Sequence, residues 1–264
     1  MGRIERAFAA LDGRTALIPF VVAGDPNYED SLSLVQEVLA AGADMIELGL
    51  PYSDPLADGP VIQAAALRSL QSGFQLPQSM RMIQTIRQRT EKPIIAFTYV
   101  NPVIQFGIEA FMRELAGAGG DGVIIPDVPL EEAPEIADVA RRYDIAFIPL
   151  VAPTSGEARV RAICEAASGF VYCVSSLGVT GERSAVSNNV RSLVETVKAH
   201  TDLPACVGFG VSQPLHAKEI SEYADGVIVG SAYVRRIEEF QAQGLDAMVT
   251  ELNGFTTALK AACK

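Results

Sequence analysis

The stretch Ala41-Gly-Ala-Asp-Met-Ile-Glu-Leu48 carries the pattern that decides the fold, because a short turn and an aspartate lead directly into an apolar run. The same order returns at Ala118-Gly-Gly-Asp121 and at Tyr223-Ala-Asp225. Each turn follows an amphipathic stretch with the spacing of a helix. A helix followed by a buried strand, repeated along the chain, is typical of a parallel sheet.

Working outward from these turns, the apolar runs predict about eight strands separated by helices. The strands are expected at Leu17–Val22, Met45–Leu48, Ile94–Thr98, Gly122–Ile125, Ala146–Pro149, Phe170–Cys173, Ala205–Val207 and Gly226–Val229. Helices are expected at Ser31–Ala41, Glu109–Ala118, Glu131–Tyr143, Glu157–Ala167, Val190–His200 and Pro214–Tyr223. About eight such units indicate an α/β fold, a single (β/α)8 TIM barrel formed as one domain by residues 1–264.

The alternative fold is a doubly wound open sheet, which the sequence disfavours because no G-x-G-x-x-G motif follows the first strand. The pattern also predicts helices outside the regular barrel units. Ile4–Leu11 is expected to form an extra N-terminal helix that plugs the barrel floor. Additional helical turns are expected at Val61–Gln71, after strand two, and in a split C-terminal helix after strand eight.

Composition narrows the classes of function. Hydrophobic residues make up 49% of the chain, and no low-complexity segment or charge block marks a domain boundary. The formal net charge of −11 argues against nucleic-acid binding and requires a local device to hold any anionic substrate. The longest apolar stretch, Ile145–Pro153, is too short to cross a membrane, and the cysteines are scattered. We therefore expect a cytoplasmic protein with free thiols.

Two acidic residues stand beside the predicted second strand. Glu47 lies near its end, and the glycines and prolines that follow predict a loop that returns Asp58 to the same place. In a (β/α)8 barrel this end of the strands carries the chemistry, so two carboxyl groups there suggest acid–base catalysis. No lysine or histidine falls at a predicted strand end, which argues against a Schiff base, a histidine base and a metal site.

Glycines follow three consecutive predicted strands, in Leu177-Gly-Val-Thr-Gly181, Val207-Gly-Phe-Gly-Val211 and Val229-Gly-Ser-Ala232. Tight turns explain any one pair, but the loops after strands seven and eight of this fold commonly bind phosphate at a helix N-terminus. Together the three segments predict a phosphate site built from backbone amides, with no need for lysine or arginine. The polar continuation to Asn189 is expected to form a mobile lid.

On these residues the chain resembles the tryptophan synthase alpha chain family, from the N-terminal helix to the end. The motifs that carry the resemblance are Ile18-Pro-Phe-Val-Val-Ala-Gly-Asp-Pro26, Glu47-Leu-Gly-Leu-Pro-Tyr-Ser-Asp-Pro-Leu-Ala-Asp-Gly-Pro-Val-Ile-Gln63, Pro126-Asp-Val-Pro129, Gly178-Val-Thr-Gly181 and Val207-Gly-Phe-Gly210. The second motif is highly specific. One mild departure is Tyr52, which stands where many members have phenylalanine.

The resemblance implies a lyase of tryptophan biosynthesis that cleaves indole-3-glycerol phosphate to indole and glyceraldehyde 3-phosphate. It implies that Glu47 protonates C3 of the indole ring and that Asp58 holds the indole N–H. These roles require two carboxyl groups with different pKa values. We expect the apolar strand end to raise the pKa of Glu47 and a donor in the loop to keep Asp58 ionised.

The resemblance also implies which residues bind the substrate. Phe20, Ile62 and Ile124 would line the indole pocket, although ordinary core packing explains them equally well. Tyr172 would contact the substrate or Glu47, or would belong to the core. The residues implied around the phosphate and the lid are Thr180, Gly181, Gly208, Phe209, Gly210, Gly230 and Ser231.

Two further aspartates would act at the rim of the site. Asp127 would anchor the lid, or simply form a turn, and Asp54 would contact a partner, or form a turn before Pro55. The partner implied is a tryptophan synthase beta chain in an alpha2beta2 heterotetramer, with pyridoxal phosphate in that chain and no cofactor in this one. Two other functions stay open: a non-catalytic regulatory barrel of a pyridoxal-phosphate partner, and a sugar-phosphate isomerase on the same scaffold.

Overall fold

The computed structural model describes residues 1–174, 183–208 and 210–263, and of residues 183–188 only the backbone. The strands are β1 (Ala16–Val22), β2 (Ile46–Gly49), β3 (Ile94–Phe97), β4 (Gly122–Ile124), β5 (Ala146–Phe147), β6 (Leu150–Val151), β7 (Val171–Val174), β8 (Ala205–Gly208) and β9 (Gly226–Val229). The helices before β4 are α1 (Arg3–Ala10), α2 (Tyr28–Ala40), α3 (Pro60–Gln71), α4 (Leu76–Arg87), α5 (Val100–Phe106) and α6 (Ile108–Ala118). Those after it are α7 (Ala133–Arg142), α8 (Glu157–Ala166), α9 (Arg183–His200), α10 (Pro214–Ile220), α11 (Ser231–Phe240) and α12 (Leu245–Ala262), with a 3-10 turn at Gln241–Gln243.

The sheet is parallel throughout and closes into the predicted barrel. Its strands follow the order β5-β4-β3-β2-β1-β9-β8-β7-β6, so the two ends of the order are neighbours in the chain. Only Ile148 and Pro149 separate β5 from β6. The Ile148 amide still donates to Val123, and the Pro149 carbonyl accepts from Tyr172. β5 and β6 are thus two halves of one strand, the predicted fifth strand of the barrel, which bonds to both β4 and β7. It is divided at Pro149, which has no N–H to donate.

Two apolar layers hold the barrel together. The inner layer fills the barrel with residues from alternate strand positions, namely Ile18, Met45, Ile95, Ile124, Ile148, Phe170, Cys206 and Ile228. The outer layer packs the other face of the strands against the helices. As predicted, α1 closes the floor: Ile4 belongs to the inner layer, and the Phe8 ring meets Phe170 edge-on. The mouth at the opposite end is left for the site.

The helices outside the regular units also match the prediction, with two differences. The helix α3 follows β2, and α11, the 3-10 turn and α12 form the split C-terminal helix. The helix α5 was not predicted, because Asn101-Pro102 looks like a loop; Pro102 fits because the first turn of a helix needs no intrahelical N–H. The helix α9 begins at Arg183 rather than Val190, so it is seven residues longer at its start than predicted.

At the floor, an aspartate precedes each of β2, β4 and β9 and holds a neighbouring strand. Each accepts a hydrogen bond from a strand amide: Asp44 from Leu17 (2.7 Å), Asp121 from Ile94 (2.8 Å) and Asp225 from Ala205 (2.8 Å). Each also pairs with a basic side chain: Asp44 with Lys260, Asp121 with Arg87 and Arg3, and Asp225 with Lys198. The repeated aspartates therefore lie in the turns that the sequence pattern indicated, and their hydrogen bonds fix the register of the neighbouring strands.

Replacing Asp225 should weaken the fold and leave the mouth unchanged. In Asp225→Ala the Ala205 amide and Lys198 lose their acceptor, and we expect the free energy of unfolding to fall by about 1–3 kcal/mol. Urea denaturation measures this change, with Asp202→Ala, an exposed aspartate in the loop before β8, as the control. A loss no larger than the control's would contradict this role.

Candidate active site

Glu47 places a carboxyl group inside the barrel near its mouth. It lies in β2, where Ile46 and Leu48 face the helices, and its side chain therefore points inward. The residue is 1% exposed, and neither carboxyl oxygen has a hydrogen-bond partner within the described part of the chain. Burial without a compensating bond raises the pKa of Glu47 well above its ordinary value. Glu47 is thus held as a neutral acid that can donate a proton.

Asp58 lies in the loop after β2, directly before the Gly59-Pro60 start of α3. Its Oδ2 accepts a hydrogen bond from the Tyr99 hydroxyl (2.9 Å), which in turn accepts one from the Ala57 amide (3.1 Å). Burial raises the pKa of Asp58 to about 6, against the opposing effect of the Tyr99 bond. The expected donor is therefore present, yet burial outweighs it, and Asp58 is mainly ionised only above that value.

Tyr99 is a site residue to which sequence reasoning gave no role. Its hydroxyl links Asp58 to the loop backbone, and its ring packs against Tyr52 with the centroids 5.6 Å apart. Burial and the neighbouring Asp58 raise the pKa of Tyr99, so the hydroxyl stays a donor. Its position just after β3, at the predicted mouth, was the available signal.

An apolar recess lies beside Asp58. Phe20, Ile62 and Phe97 contribute to its wall, and the Phe20 and Phe97 rings meet edge-on at 5.4 Å. A side chain at Gly49 would bring its Cβ to 2.6 Å from the Phe20 ring, so glycine is required there. Ile124 lies in the inner layer of the core and does not line the recess. Its walls are flat and apolar, as an aromatic ring requires, but its open volume in this structure is only about 10 Å³, which is smaller than such a ring.

A second cleft, of about 560 Å³, opens between the ends of β8 and β9 and the start of α11. Its lining includes Ile62, Tyr172, Gly208, Gly210, Gly230 and Ser231. Gly210 has a positive φ of 42° with open space around it, and Gly230 also leaves room beside its backbone. The cleft lies where this fold commonly binds phosphate.

Gly208 and Tyr172 form a tight pair at the wall of this cleft. A Cβ at position 208 would overlap the Tyr172 hydroxyl, so Gly208 makes room for the tyrosine ring. The sequence prediction gave Gly208 a different reason, namely the approach of an anion. Burial, followed by the charges of Glu47 and Asp58, raises the pKa of Tyr172 well above its ordinary value. Tyr172 therefore stands between the acid pair and the cleft as a neutral hydroxyl.

Cations also line the cleft, which the sequence analysis predicted to need neither lysine nor arginine. Arg235 and Arg236, on the second turn of α11, both contribute to its wall. The signal in the sequence was the spacing of four residues from Ser231 to Arg235, which places both on one face of the helix. The sequence analysis did not predict these arginines because it considered charged residues at the ends of strands and not one turn into the following helix.

An ion-pair network connects the two flanks of the mouth. Arg68 of α3 donates from Nε and Nη2 to both carboxylate oxygens of buried Asp25, at 2.8 and 3.0 Å. Its Nη1 donates to Glu238 of α11 at 3.0 Å. Bidentate pairs of this kind fix orientation as well as distance. The helix that follows Asp58 is therefore tied both to the end of β1 and to the helix that begins at Ser231.

The remaining predicted site residues fall in different places. Asp127 accepts a hydrogen bond from the Val100 amide (2.9 Å) and so supports the start of α5. Asp54 is exposed, and its carbonyl accepts from the Leu56 amide in a tight turn. Thr180, Gly181 and Phe209, together with residues 175–182 of the expected lid, lie outside the described residues. Within those described, no cluster of three metal-binding side chains occurs, and no helix is long and apolar enough to cross a membrane.

The fold and site define a (β/α)8 barrel with two carboxyl groups on one flank of its mouth and a polar cleft, lined by glycines and two arginines, on the other. The family model described as tryptophan synthase alpha chain matches residues 8–264. The chain belongs to this family. Its membership does not favour either alternative function, the regulatory barrel or the sugar-phosphate isomerase.

Individual relatives agree with this assignment. The tryptophan synthase alpha chain of Thermoanaerobacter pseudethanolicus is 45% identical over 262 residues, which cover 98% of this chain and 99% of that one. The alpha chain of Carboxydothermus hydrogenoformans is 48% identical over 242 residues, 91% of each chain. The crystal structure of the Legionella pneumophila alpha subunit superposes with a TM-score of 0.91 at 33% identity, covering 99% of this chain and 98% of that one.

The Glu47→Gln variant should become more stable than the original protein as the pH rises. At low pH Glu47 is protonated in both the folded and the unfolded states, so the substitution changes little. Above the ordinary carboxyl pKa the unfolded chain releases the proton while the folded protein keeps it. The free energy of unfolding of the original protein therefore falls by about 1.4 kcal/mol per pH unit until the raised pKa of Glu47 is reached.

We therefore expect the glutamine variant to exceed the original protein in free energy of unfolding at pH 8 but not at pH 4. Denaturant titration at both pH values measures this difference. Glu195→Gln, an exposed glutamate on α9, is the matched control. A stability difference that does not change with pH would contradict a buried neutral Glu47.

Proposed function

We propose that the chain cleaves indole-3-glycerol phosphate to indole and glyceraldehyde 3-phosphate, as a carbon–carbon lyase. The observation that carries this proposal is the buried Glu47 carboxyl group, which has no hydrogen-bond partner among the described residues and lies, like ionisable Asp58, within electrostatic range of Tyr172 at the wall of the cleft. Membership of the tryptophan synthase alpha chain family supports the same reaction. The chain acts as a single domain, residues 1–264, in the cytoplasm.

Glu47 supplies the proton that starts the reaction. The proton moves from its carboxyl group to C3 of the indole ring, which leaves the ring cationic and Glu47 ionised. The hydroxyl on the adjacent carbon of the glycerol chain then returns a proton to Glu47, the carbon–carbon bond breaks, and its electron pair restores the aromatic ring. The products are indole and an aldehyde, so neither a metal nor an amine is required to accept electrons.

Asp58 stabilises the positive charge that develops on the ring. Its ionised carboxylate accepts the indole N–H, and the Tyr99 hydroxyl holds it in position. Phe20 and Ile62 pack against the ring, and Tyr172 contacts the glycerol chain between recess and cleft. Ile124 supports this pocket from the inner layer.

The phosphate occupies the cleft at the start of α11. Amides near Gly210 and Gly230, with the Ser231 hydroxyl, donate to its oxygens, and Gly208 lines the same cleft. Gly181 and Phe209 are further proposed contacts of the substrate. The open backbone at Gly210 and Gly230 and the dipole of α11 favour an anion here. Thr180 is a proposed substrate contact, and Asp127 a proposed support at the rim of the site.

Removing either acid should abolish the reaction without unfolding the protein. For Glu47→Gln and Asp58→Asn we expect kcat for indole release to fall at least about 100-fold, because each variant loses a group that exchanges or stabilises charge in the transition state. In the original protein the rate should rise with pH through a midpoint near 6, as Asp58 ionises, and fall again where Glu47 loses its proton.

Steady-state indole formation across the pH range measures both effects, and circular dichroism confirms that the variants are folded. Glu195→Gln serves again as the control. Turnover within a few-fold of the original protein in either acid variant, or a rate that is flat around pH 6, would contradict these roles.

We propose that the active face binds a tryptophan synthase beta chain in an alpha2beta2 heterotetramer, and that pyridoxal phosphate is bound by that partner. Leu56 is 82% exposed and Ile104 is 57% exposed, on the loop after β2 and on α5. A hydrogen bond from Asn101 to Tyr52 (2.7 Å) joins these two segments into one surface. Exposed apolar side chains beside a catalytic mouth favour a protein partner, and Asp54 lies in the same loop.

Leu56→Asp should weaken this complex. A charge at the centre of an apolar contact loses burial and must be desolvated, so we expect the dissociation constant for the beta chain to rise about tenfold or more. Analytical ultracentrifugation with the purified beta chain measures the constant. Leu215→Asp, at an exposed leucine on α10, is the control, and an equal effect of the two variants would contradict the proposed surface.

A further inference from the structure

The cleft at the start of α11 holds two arginines, and the protein itself fixes only one of them. Arg236 donates from Nε to Glu251 (3.0 Å) and from Nη1 to the Ala232 carbonyl (2.9 Å). Its guanidinium also lies 3.6 Å from the centroid of the Phe255 ring. Arg236 therefore braces α11 against α12 and has little freedom to turn toward a ligand.

Arg235 lines the same cleft but differs in its contacts. It is exposed, and its side chain makes no hydrogen bond or ion pair with residues 1–174, 189–208 or 210–263. In a helix the Cα–Cβ bond tilts toward the N-terminus, so a side chain covers the turn that precedes it. For Arg235 that turn is the one that begins at Ser231.

The net negative charge of the chain makes a local positive charge at the cleft favourable for binding an anion. A formal charge of −11 repels an incoming dianion, and the amides and hydroxyl at Gly230 and Ser231 offer only partial charges against it. A guanidinium carries a full charge and presents a planar fork that matches two phosphate oxygens. Among the cleft-lining residues described, Arg235 is the cation that is not already paired.

We propose that Arg235 is the ionic ligand of the substrate's phosphate and sets the affinity of the cleft for phosphate monoesters. This inference rests on the proposed function, because it takes the substrate to be phosphorylated. The contribution is to binding and to electrostatic attraction of the anion, and the carbon–carbon cleavage at Glu47 and Asp58 proceeds without it. Arg235 is thus a specificity residue, distinct from the acid pair.

The test compares Arg235→Gln, Arg235→Lys and the matched control Arg161→Gln, an exposed arginine on α8. For Arg235→Gln we expect KM for indole-3-glycerol phosphate to rise about fivefold or more with kcat within twofold, because a charge-assisted bond is lost. The increase should shrink as salt screens the charge. Arg235→Lys should retain most of the affinity, and Arg161→Gln should behave as the original protein.

Two further measurements separate this inference from the function itself. Titration with inorganic phosphate, followed by NMR, should show weaker binding in Arg235→Gln whether or not indole is released. Turnover of indole-3-glycerol, which lacks the phosphate, should be the same in both proteins. Failure of the original protein to release indole would remove the proposed function, whereas phosphate-binding constants and KM values equal in the two proteins would overturn the role of Arg235. A fall in kcat with unchanged KM, or an equal loss in Arg235→Lys, would also overturn it.

Discussion

The burial of one carboxyl group without a compensating hydrogen bond is the constraint on which the rest of the mouth depends. An ionised Glu47 would lose its hydration and gain nothing from the described residues around it, so the barrel holds it protonated. Asp58 has the same chemical group, but it lies in a loop and accepts a bond from Tyr99. Two carboxyl groups thereby reach different protonation states around neutral pH through position alone.

Position, in turn, depends on how the flanks of the mouth are joined. The loop that carries Asp58 runs into α3, and Arg68 ties that helix to Asp25 and to Glu238 of α11. Ile62 of α3 lines both the apolar recess and the cleft. A long substrate with an aromatic ring at one end and an anion at the other would therefore meet both groups on a single rigid framework.

Much of this arrangement is readable from sequence, because strand periodicity and the three floor aspartates are local signals. Glu47 and Asp58 were likewise found from their place beside one apolar run. Other features depend on contacts across the fold. Gly208 is explained by the Tyr172 ring, and a proline inside the first turn concealed α5. The polar residues before Val190 resemble a loop as much as a helix, so the start of α9 was misplaced.

The division of the fifth strand at Pro149 also has a geometric consequence. β5 pairs with β4 and β6 pairs with β7, while Ser168 adds hydrogen bonds to Phe147, so the divided strand still joins both of its neighbours. In the strand order, β1 lies farthest from it on both sides, with β2 and β9 flanking β1. Phe20, Glu47 and Gly230 thus belong to the part of the barrel wall that is most remote from Pro149. The candidate active site thus rests on the three central strands of this order, β2, β1 and β9, which pair with one another without a break.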